Sequence, residues 1–121
     1  MATGLENLKI YRMAEELELA VYELTKAYPK DEKYRSIDQL RRSSSAVANN
    51  IAEAYNKASL KEKIHIMRDI AKSEAEETKR NLTRCAKKDF YAKESNEVAE
   101  QYTELIKAIS GYIRFLKNLQ T

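Results

Sequence analysis

The sequence predicts an all-α protein, an up-and-down antiparallel four-helix bundle. Apolar residues recur at spacings of four and three along four separate segments, which places them on one face of a helix in each segment. The 121 residues include only two Gly, one Pro and no Trp, and this scarcity of turn-forming residues argues against a sheet. Helices joined by short loops must run up and down. We expect a single domain over residues 1–121, large enough to bury a core without disulfides or metals.

The first predicted helix covers Leu5 to Ala27. Its apolar face consists of Ile10, Ala14, Leu17, Val21 and Leu24. Four glutamates behind that face are expected to be solvated surface, namely Glu15, Glu16, Glu18 and Glu23. Tyr28 precedes Pro29 and is therefore pushed out of the α region, so the helix should end there.

The second helix contains the segment Gln39–Tyr55, around which the chain is organised. Three neighbouring stripes run along it: an apolar seam, a polar column and a stripe of mostly small residues. Their members are, in that order, Leu40, Ser44, Val47, Ile51 and Ala54; Gln39, Ser43, Ala46, Asn50 and Glu53; and Arg41, Ser45, Ala48 and Ala52. The seam predicts a helix packed lengthwise against others.

The polar column predicts side chains that bond to a neighbouring helix and fix its register, because burying an unpaired polar group costs about 1 to 3 kcal/mol. The alternative is that Ser and Ala are simply tolerated at a tight helix contact. The small stripe would let another backbone come close, from the same subunit or from a second one. Ser36 or Asp31 is the candidate N-cap, and we expect this helix to end at Tyr55 or Asn56.

The third helix is predicted from Leu60 to about Lys88, since Ser59 followed three residues later by Glu62 forms a capping-box pattern. Ile66 and Ile70 fall nearly opposite its core face, which suggests contacts within an oligomer. That core face consists of Ile64, Met67, Ala71, Ala75, Thr78, Leu82 and Cys85. Cys85 is the single cysteine, so a buried thiol in a reduced compartment is the plain interpretation and a reactive thiol is the alternative.

The fourth helix follows a break near Ala92, and Glu94-Ser95-Asn96 offers its start. Gly111 costs about 1 kcal/mol in a helix interior, so a close packing contact is expected there. Its seam is the most regular in the chain: Val98, Tyr102, Leu105, Ile109, Tyr112, Leu116 and Leu119. The seam is widened on one side by Ala99, Ile106 and Ile113.

Motifs of enzyme chemistry are absent from the sequence, which has no CxxC, HExxH, GxSxG or glycine-rich phosphate loop. His65 is the only histidine and has no neighbour spaced to complete a metal site, so we expect it at the surface or an interface. Glu74, Glu76 and Glu77 lack the Glu-x-x-His partners of di-iron bundles. We therefore expect no catalytic residues, no metal, no cofactor and no enzymatic activity.

Targeting features are also absent: the N-terminus does not resemble a signal peptide, and no apolar run approaches the roughly 18 residues of a membrane-spanning helix. These features predict a cytoplasmic protein with no membrane partner.

Positive charge is concentrated in the middle of the chain, where residues 59–90 carry 9 basic and 6 acidic residues. The candidate nucleic-acid-binding residues, which would neutralise phosphates of RNA or DNA, are Arg41, Arg42, Lys79, Arg80, Arg84, Lys87 and Lys88. Two alternatives are open. Cations are favoured at a helix C-terminus by the helix dipole, and several of these could pair with Glu76 and Glu77 one turn earlier.

A family resemblance rests on Asn50-Ile51-Ala52-Glu53, preceded by Gln39-Leu40-Arg41-Arg42 and Ser45. Ala71, Ser73 and Glu76 add the pattern A-x-S-x-x-E. Together these motifs resemble the small four-helix-bundle proteins encoded within intervening sequences of bacterial large-subunit ribosomal RNA genes, over roughly residues 8 to 117. The chain has Ala54 where that family usually has glycine.

The resemblance implies an up-down bundle that assembles into a ring, typically a homopentamer. Members of the family also resemble the accessory variability proteins of diversity-generating retroelements, which bind nucleic acid and associate with a reverse transcriptase. The leading hypothesis is therefore a non-catalytic, homo-oligomeric protein that binds RNA or DNA and assists a reverse transcriptase or an RNA element. The alternative is a structural or protein-binding oligomer with no direct nucleic-acid role.

Overall fold

The computed structural model describes residues 4–120, so Met1, Ala2, Thr3 and Thr121 of the predicted domain lie outside the described residues. Residues 4–120 contain no strand and form four long helical units, which we call rods. The third rod is continuous, since a π-helical segment at Ile66–Ala71 joins α3 to α4. The helices are α1 Lys9–Thr25, α2 Asp38–Asn56, α3 Leu60–His65, α4 Lys72–Lys87 and α5 Ala92–Leu119. The predicted all-α four-helix bundle is confirmed.

Each rod packs against two others, so the four enclose one core. α2 contacts α1 and α4, while α5 contacts α4 and α1. The α2 seam is buried as predicted. On α5 the seam is less regular: Leu119 is 54% exposed, whereas Ala99 and Ile113 are buried. An α-helix drifts by about 20° per heptad from a strict seven-residue repeat, so the last residue of a long seam turns away from the core.

The start of α1 differs from the prediction, because Leu5–Asn7 forms a separate 3₁₀ turn. The predicted N-cap of α2 is also wrong at both candidates. Lys33–Ile37 is already a π-helical turn that continues into α2, so the first amides of α2 need no side-chain cap. Ser36 Oγ instead donates to Glu32 Oε1 at 2.7 Å, a hydrogen bond that lowers the pKa of the buried Glu32 carboxyl.

Ser59 is the N-cap of the third rod, as its sequence pattern predicts, since Ser59 Oγ accepts a hydrogen bond from the Glu62 amide at 3.0 Å. The predicted apolar patch opposite the core is wrong for Ile66, which is 6% exposed and belongs to the core, while Ile70 is 36% exposed. The π-helical segment is the physical reason: a π turn holds an extra residue, which rotates the register of the rod.

A tight turn connects α4 to α5 near the predicted break. Asp89 and Tyr91 adopt positive φ angles of 65° and 45°, and Tyr28 of the α1–α2 connection packs beneath this turn. Ser95 Oγ donates to the Phe90 carbonyl at 2.8 Å, so the Tyr28 hydroxyl, 2.7 Å away, donates to Ser95. Burial raises the pKa of Tyr28 to about 12. These bonds link the two loops at one end of the bundle, next to the buried Cys85.

Within the described chain, Gly111 does not make the close packing contact that was predicted. An added β carbon would meet only Arg114 Nη2, at an ordinary distance of 3.6 Å, and Gly111 does not have a positive φ. Nothing in the described backbone therefore requires glycine at this position.

Within residues 4–120, no helix combines the length and the apolar character needed to cross a membrane.

Candidate nucleic-acid interface

A groove runs between α4 and α5 and collects most of the predicted phosphate-binding residues. We call it the α4/α5 groove. Its volume is about 480 Å³. Arg80, Arg84 and Lys87 recur at i, i+4 and i+7 and so lie along one face of α4, over about 10 Å at 1.5 Å per residue. The lining residues are Glu76, Lys79, Arg80, Thr83, Arg84 and Lys87 from α4, with Thr103, Ile106 and Lys107 from α5.

The four α4 cations of this groove are not neutralised by acidic neighbours. Within residues 4–120, none of the four forms an ion pair, and Arg84 only donates a hydrogen bond to the Asn81 side-chain oxygen. The alternative in which these cations pair with Glu76 and Glu77 one turn earlier is therefore wrong. The positive charge of the groove is available to a ligand.

Lys107, Thr83 and Thr103 were missed by sequence reasoning as members of this site. Thr103, Ile106 and Lys107 recur at i, i+3 and i+4, and Ile106 already marked the side on which the α5 seam widens. Continuing that face by one position would have indicated Lys107. Its Nζ lies 3.5 Å from Glu104 Oε2, in an exposed pair that contributes little to stability.

The other flank of α4 faces α2 and forms a second, more polar depression, the α2/α4 groove. Arg42 Nε lies 3.5 Å from Asp38 Oδ2. Glu74 also lines this groove, and its pKa is raised by burial and by the charge of Glu77. The lining residues are Gln39, Arg41, Arg42, Ser43, Ser45, Ala46, Asn49, Glu74 and Glu77. This groove therefore contains carboxylates as well as cations, and it would repel phosphates as well as attract them.

Arg41 is bound to α1 rather than free for a ligand. Its Nε donates to Thr25 Oγ1 at 3.0 Å, and its guanidinium lies 4.4 Å from the centre of the Tyr22 ring. Arg41 of the small stripe is therefore held by α1 of the same subunit, whereas Ser45 of that stripe lines the α2/α4 groove.

The polar column of α2 contributes one bond to a neighbouring helix. Thr78 Oγ1 of α4 lies 2.7 Å from Ser43 Oγ, and both side chains are buried. Asn50 Nδ2 instead donates to the Ala46 carbonyl of its own helix at 2.7 Å, and Gln39 and Glu53 are exposed. The prediction of interhelical bonding is thus confirmed at Ser43 and wrong at Asn50, which is half-buried beside its own backbone.

The remaining predicted site residues lie apart from the α4/α5 groove. Lys88 Nζ lies 3.7 Å from Glu32 Oε1 and 5.8 Å from the centre of the Phe90 ring, so Lys88 joins the end of α4 to the α1–α2 connection. Ser73 is exposed, and Ser45 accepts a hydrogen bond from Asn49 Nδ2 at 3.3 Å.

His65 is exposed at the start of the π-helical segment. Its Nδ1 lies 2.8 Å from Asp69 Oδ2. Arg68 and then His65 stabilise the Asp69 carboxylate, which lowers its pKa to about 2. Within the described chain, no three His, Cys, Asp or Glu side chains come together as a metal site would require.

Comparison with known protein families gives a match that spans most of the chain. A family described as 23S rRNA-intervening sequence protein matches residues 6–111, a range that includes both α4 grooves and all seven predicted phosphate-binding residues. Comparison with curated proteins gives no match.

Proposed function

Since the chain belongs to the 23S rRNA-intervening sequence protein family, we propose that it is a non-catalytic nucleic-acid-binding protein whose α4/α5 groove holds the phosphate backbone, with RNA as the expected ligand. Cations that neutralise phosphates release condensed counterions, and this release supplies affinity that does not depend on sequence. The single observation that supports the proposal most strongly is the set of unpaired α4 cations in one groove.

The helix dipole accounts for only part of this set. Its effect is confined to the last turn of a helix, and Arg84 and Lys87 are the basic residues there. Lys79 and Arg80 lie about two turns from the end of α4, where the dipole offers no comparable stabilisation. A ligand with negative charge spaced along a chain explains all four positions.

We also propose that the chain assembles with copies of itself into a ring, with a pentamer as the expected size. Large apolar side chains on two helices support self-association, because Leu19 of α1 is 65% exposed and Phe115 of α5 is 55% exposed. A ring would repeat the groove and strengthen its field. The reverse transcriptase that the family resemblance implies as a partner stays a prediction, which co-purification with such an enzyme would test.

Charge reversal tests the groove directly. We expect Arg80→Glu combined with Arg84→Glu to weaken the binding of a labelled RNA at low salt by about 100-fold or more, because two phosphate contacts become repulsive. Fluorescence anisotropy measures the affinity, and sedimentation checks that the oligomer is intact.

The matched control is Arg35→Glu combined with Arg42→Glu, which changes the net charge equally at two exposed arginines outside the groove. We expect a loss of affinity below about threefold, since only long-range attraction is reduced. Equal losses in both double variants, or no binding by an intact wild-type protein, would contradict the proposal and favour the protein-binding alternative.

A further inference from the structure

The α4/α5 groove contains an acidic side chain that phosphate binding does not explain. Glu76 lines the groove together with Lys79 and Arg80, yet within residues 4–120 its carboxylate forms no ion pair and no hydrogen bond. Arg80 follows Glu76 by four residues, the spacing at which a helical ion pair normally forms. A site for phosphate alone would gain affinity if this carboxylate were absent.

Two further groups in the groove can only accept hydrogen bonds. Thr83 Oγ1 donates its proton to the Lys79 carbonyl at 3.0 Å, and Thr103 Oγ1 donates its proton to the Ala99 carbonyl at 3.4 Å. Each hydroxyl oxygen is therefore left with lone pairs and no free proton. The groove thus combines a row of cations with acceptors from Glu76, Thr83 and Thr103, and Ile106 adds apolar surface.

A nucleotide offers the groups that match this combination. Its phosphate oxygens only accept, whereas the ribose 2′-hydroxyl and the base amino and imino groups donate. In a duplex the base donors are paired, whereas the 2′-hydroxyls remain accessible in the shallow minor groove, so the width of the trough must decide between one strand and two. Packed helices lie about 8–10 Å apart, so the trough between two of them suits one strand better than two.

We infer that the α4/α5 groove takes an unpaired nucleotide of a single-stranded RNA, with its phosphates on the α4 cations and an O–H or N–H donor of its sugar or base bound to the Glu76 carboxylate, an inference that rests on the proposed function. Glu76 then selects the form of the nucleic acid, while Arg80 and Arg84 supply the affinity. A hydrogen bond to a charged group in a partly buried site corresponds to about a tenfold preference.

The test compares Glu76→Ala with Glu77→Ala. Both variants remove one negative charge from the same turn of α4, but Glu77 lines the α2/α4 groove. Three labelled probes of one sequence are titrated by fluorescence anisotropy: single-stranded RNA, single-stranded DNA and an RNA duplex. Circular dichroism checks that both variants keep their helix content.

We expect the wild type and Glu77→Ala to prefer single-stranded RNA over the duplex by about tenfold, and Glu76→Ala to lose that preference. If Glu76→Ala also loses a preference for RNA over DNA, the donor is the 2′-hydroxyl; if it does not, the donor belongs to a base.

A wild type that binds the duplex as tightly as the single strand, or a Glu76→Ala variant with unchanged preference, overturns the inference. In either case, RNA binding that still depends on Arg80 and Arg84 leaves the proposed function intact. If the wild-type protein binds none of the three probes, the proposed function itself is contradicted.

Discussion

The two flanks of α4 contain similar residue types but differ in how those residues are bonded. On the α2 side, Arg42 faces Asp38 and Arg41 is bound to α1, and the buried pair Ser43–Thr78 joins the two helices. On the α5 side, the α4 cations have no acidic partner within residues 4–120. The number of cations on a surface therefore does not identify a binding site. What matters is whether their charge is already satisfied inside the fold.

The largest stability effect is expected at the Ser43–Thr78 contact. Thr78→Val keeps the shape of the side chain but removes the donor from α4 that the buried Ser43 hydroxyl oxygen accepts, which should lower the free energy of unfolding by about 2 kcal/mol. Urea denaturation measures this change. Adding Ser43→Ala to Thr78→Val should recover most of the loss, because both partners are then apolar. Strictly additive losses would show that this contact does not join α2 to α4.

The next largest effects distinguish Arg41, which is bonded to α1, from Arg84, which has no acidic partner within residues 4–120. Arg41→Ala should lower the free energy of unfolding by about 1 to 2 kcal/mol, because it removes a hydrogen bond to Thr25 and the stacking on Tyr22, while RNA affinity changes by less than about twofold. Arg84→Ala should do the reverse, with stability unchanged within about 0.5 kcal/mol and RNA affinity reduced by about tenfold. Thermal melting and anisotropy on the same samples measure both. Similar profiles for the two variants would remove the distinction between the flanks.

The smallest effect is expected on α5, where Gly111→Ala should raise the free energy of unfolding by about 0.5 to 1 kcal/mol. Alanine is the better helix former, and an added β carbon meets only Arg114 Nη2 at 3.6 Å. Urea denaturation again provides the measurement. A destabilised Gly111→Ala protein would mean that another chain packs against this position, and the α5 side would then be an interface between subunits rather than an open surface.

Much of the fold was predictable because four-three spacing directly reports which face of a helix is buried. The seams of α1 and α2 and the cap at Ser59 followed from such local patterns. The π-helical segments were not predictable in this way. They change the number of residues per turn, so Ile66 moved into the core although ideal α-helical spacing places it outside.

The sequence predicted which basic residues are candidates for the site, but not which of them are already bonded to other groups of the fold. Lys79, Arg80, Arg84 and Lys87 were identified from charge alone and do lie in one groove, whereas Arg41 and Lys88 were identified in the same way and are bound within the fold. Ion pairing depends on rotamers and on neighbouring helices, which a sequence pattern does not contain. For the same reason Asn50 was expected to reach another helix and instead bonds to its own.

Phosphate binding by the four α4 cations is tested most directly by the salt dependence of RNA binding. A short single-stranded RNA is titrated at several salt concentrations, and the logarithm of the association constant is plotted against the logarithm of the salt concentration. If the four α4 cations each contact a phosphate, the slope should be about −2.8 per groove, from about −0.7 per contact, and Arg35→Glu with Arg42→Glu should leave it unchanged. A slope between zero and about −1 would contradict phosphate binding by the free cations of the α4/α5 groove.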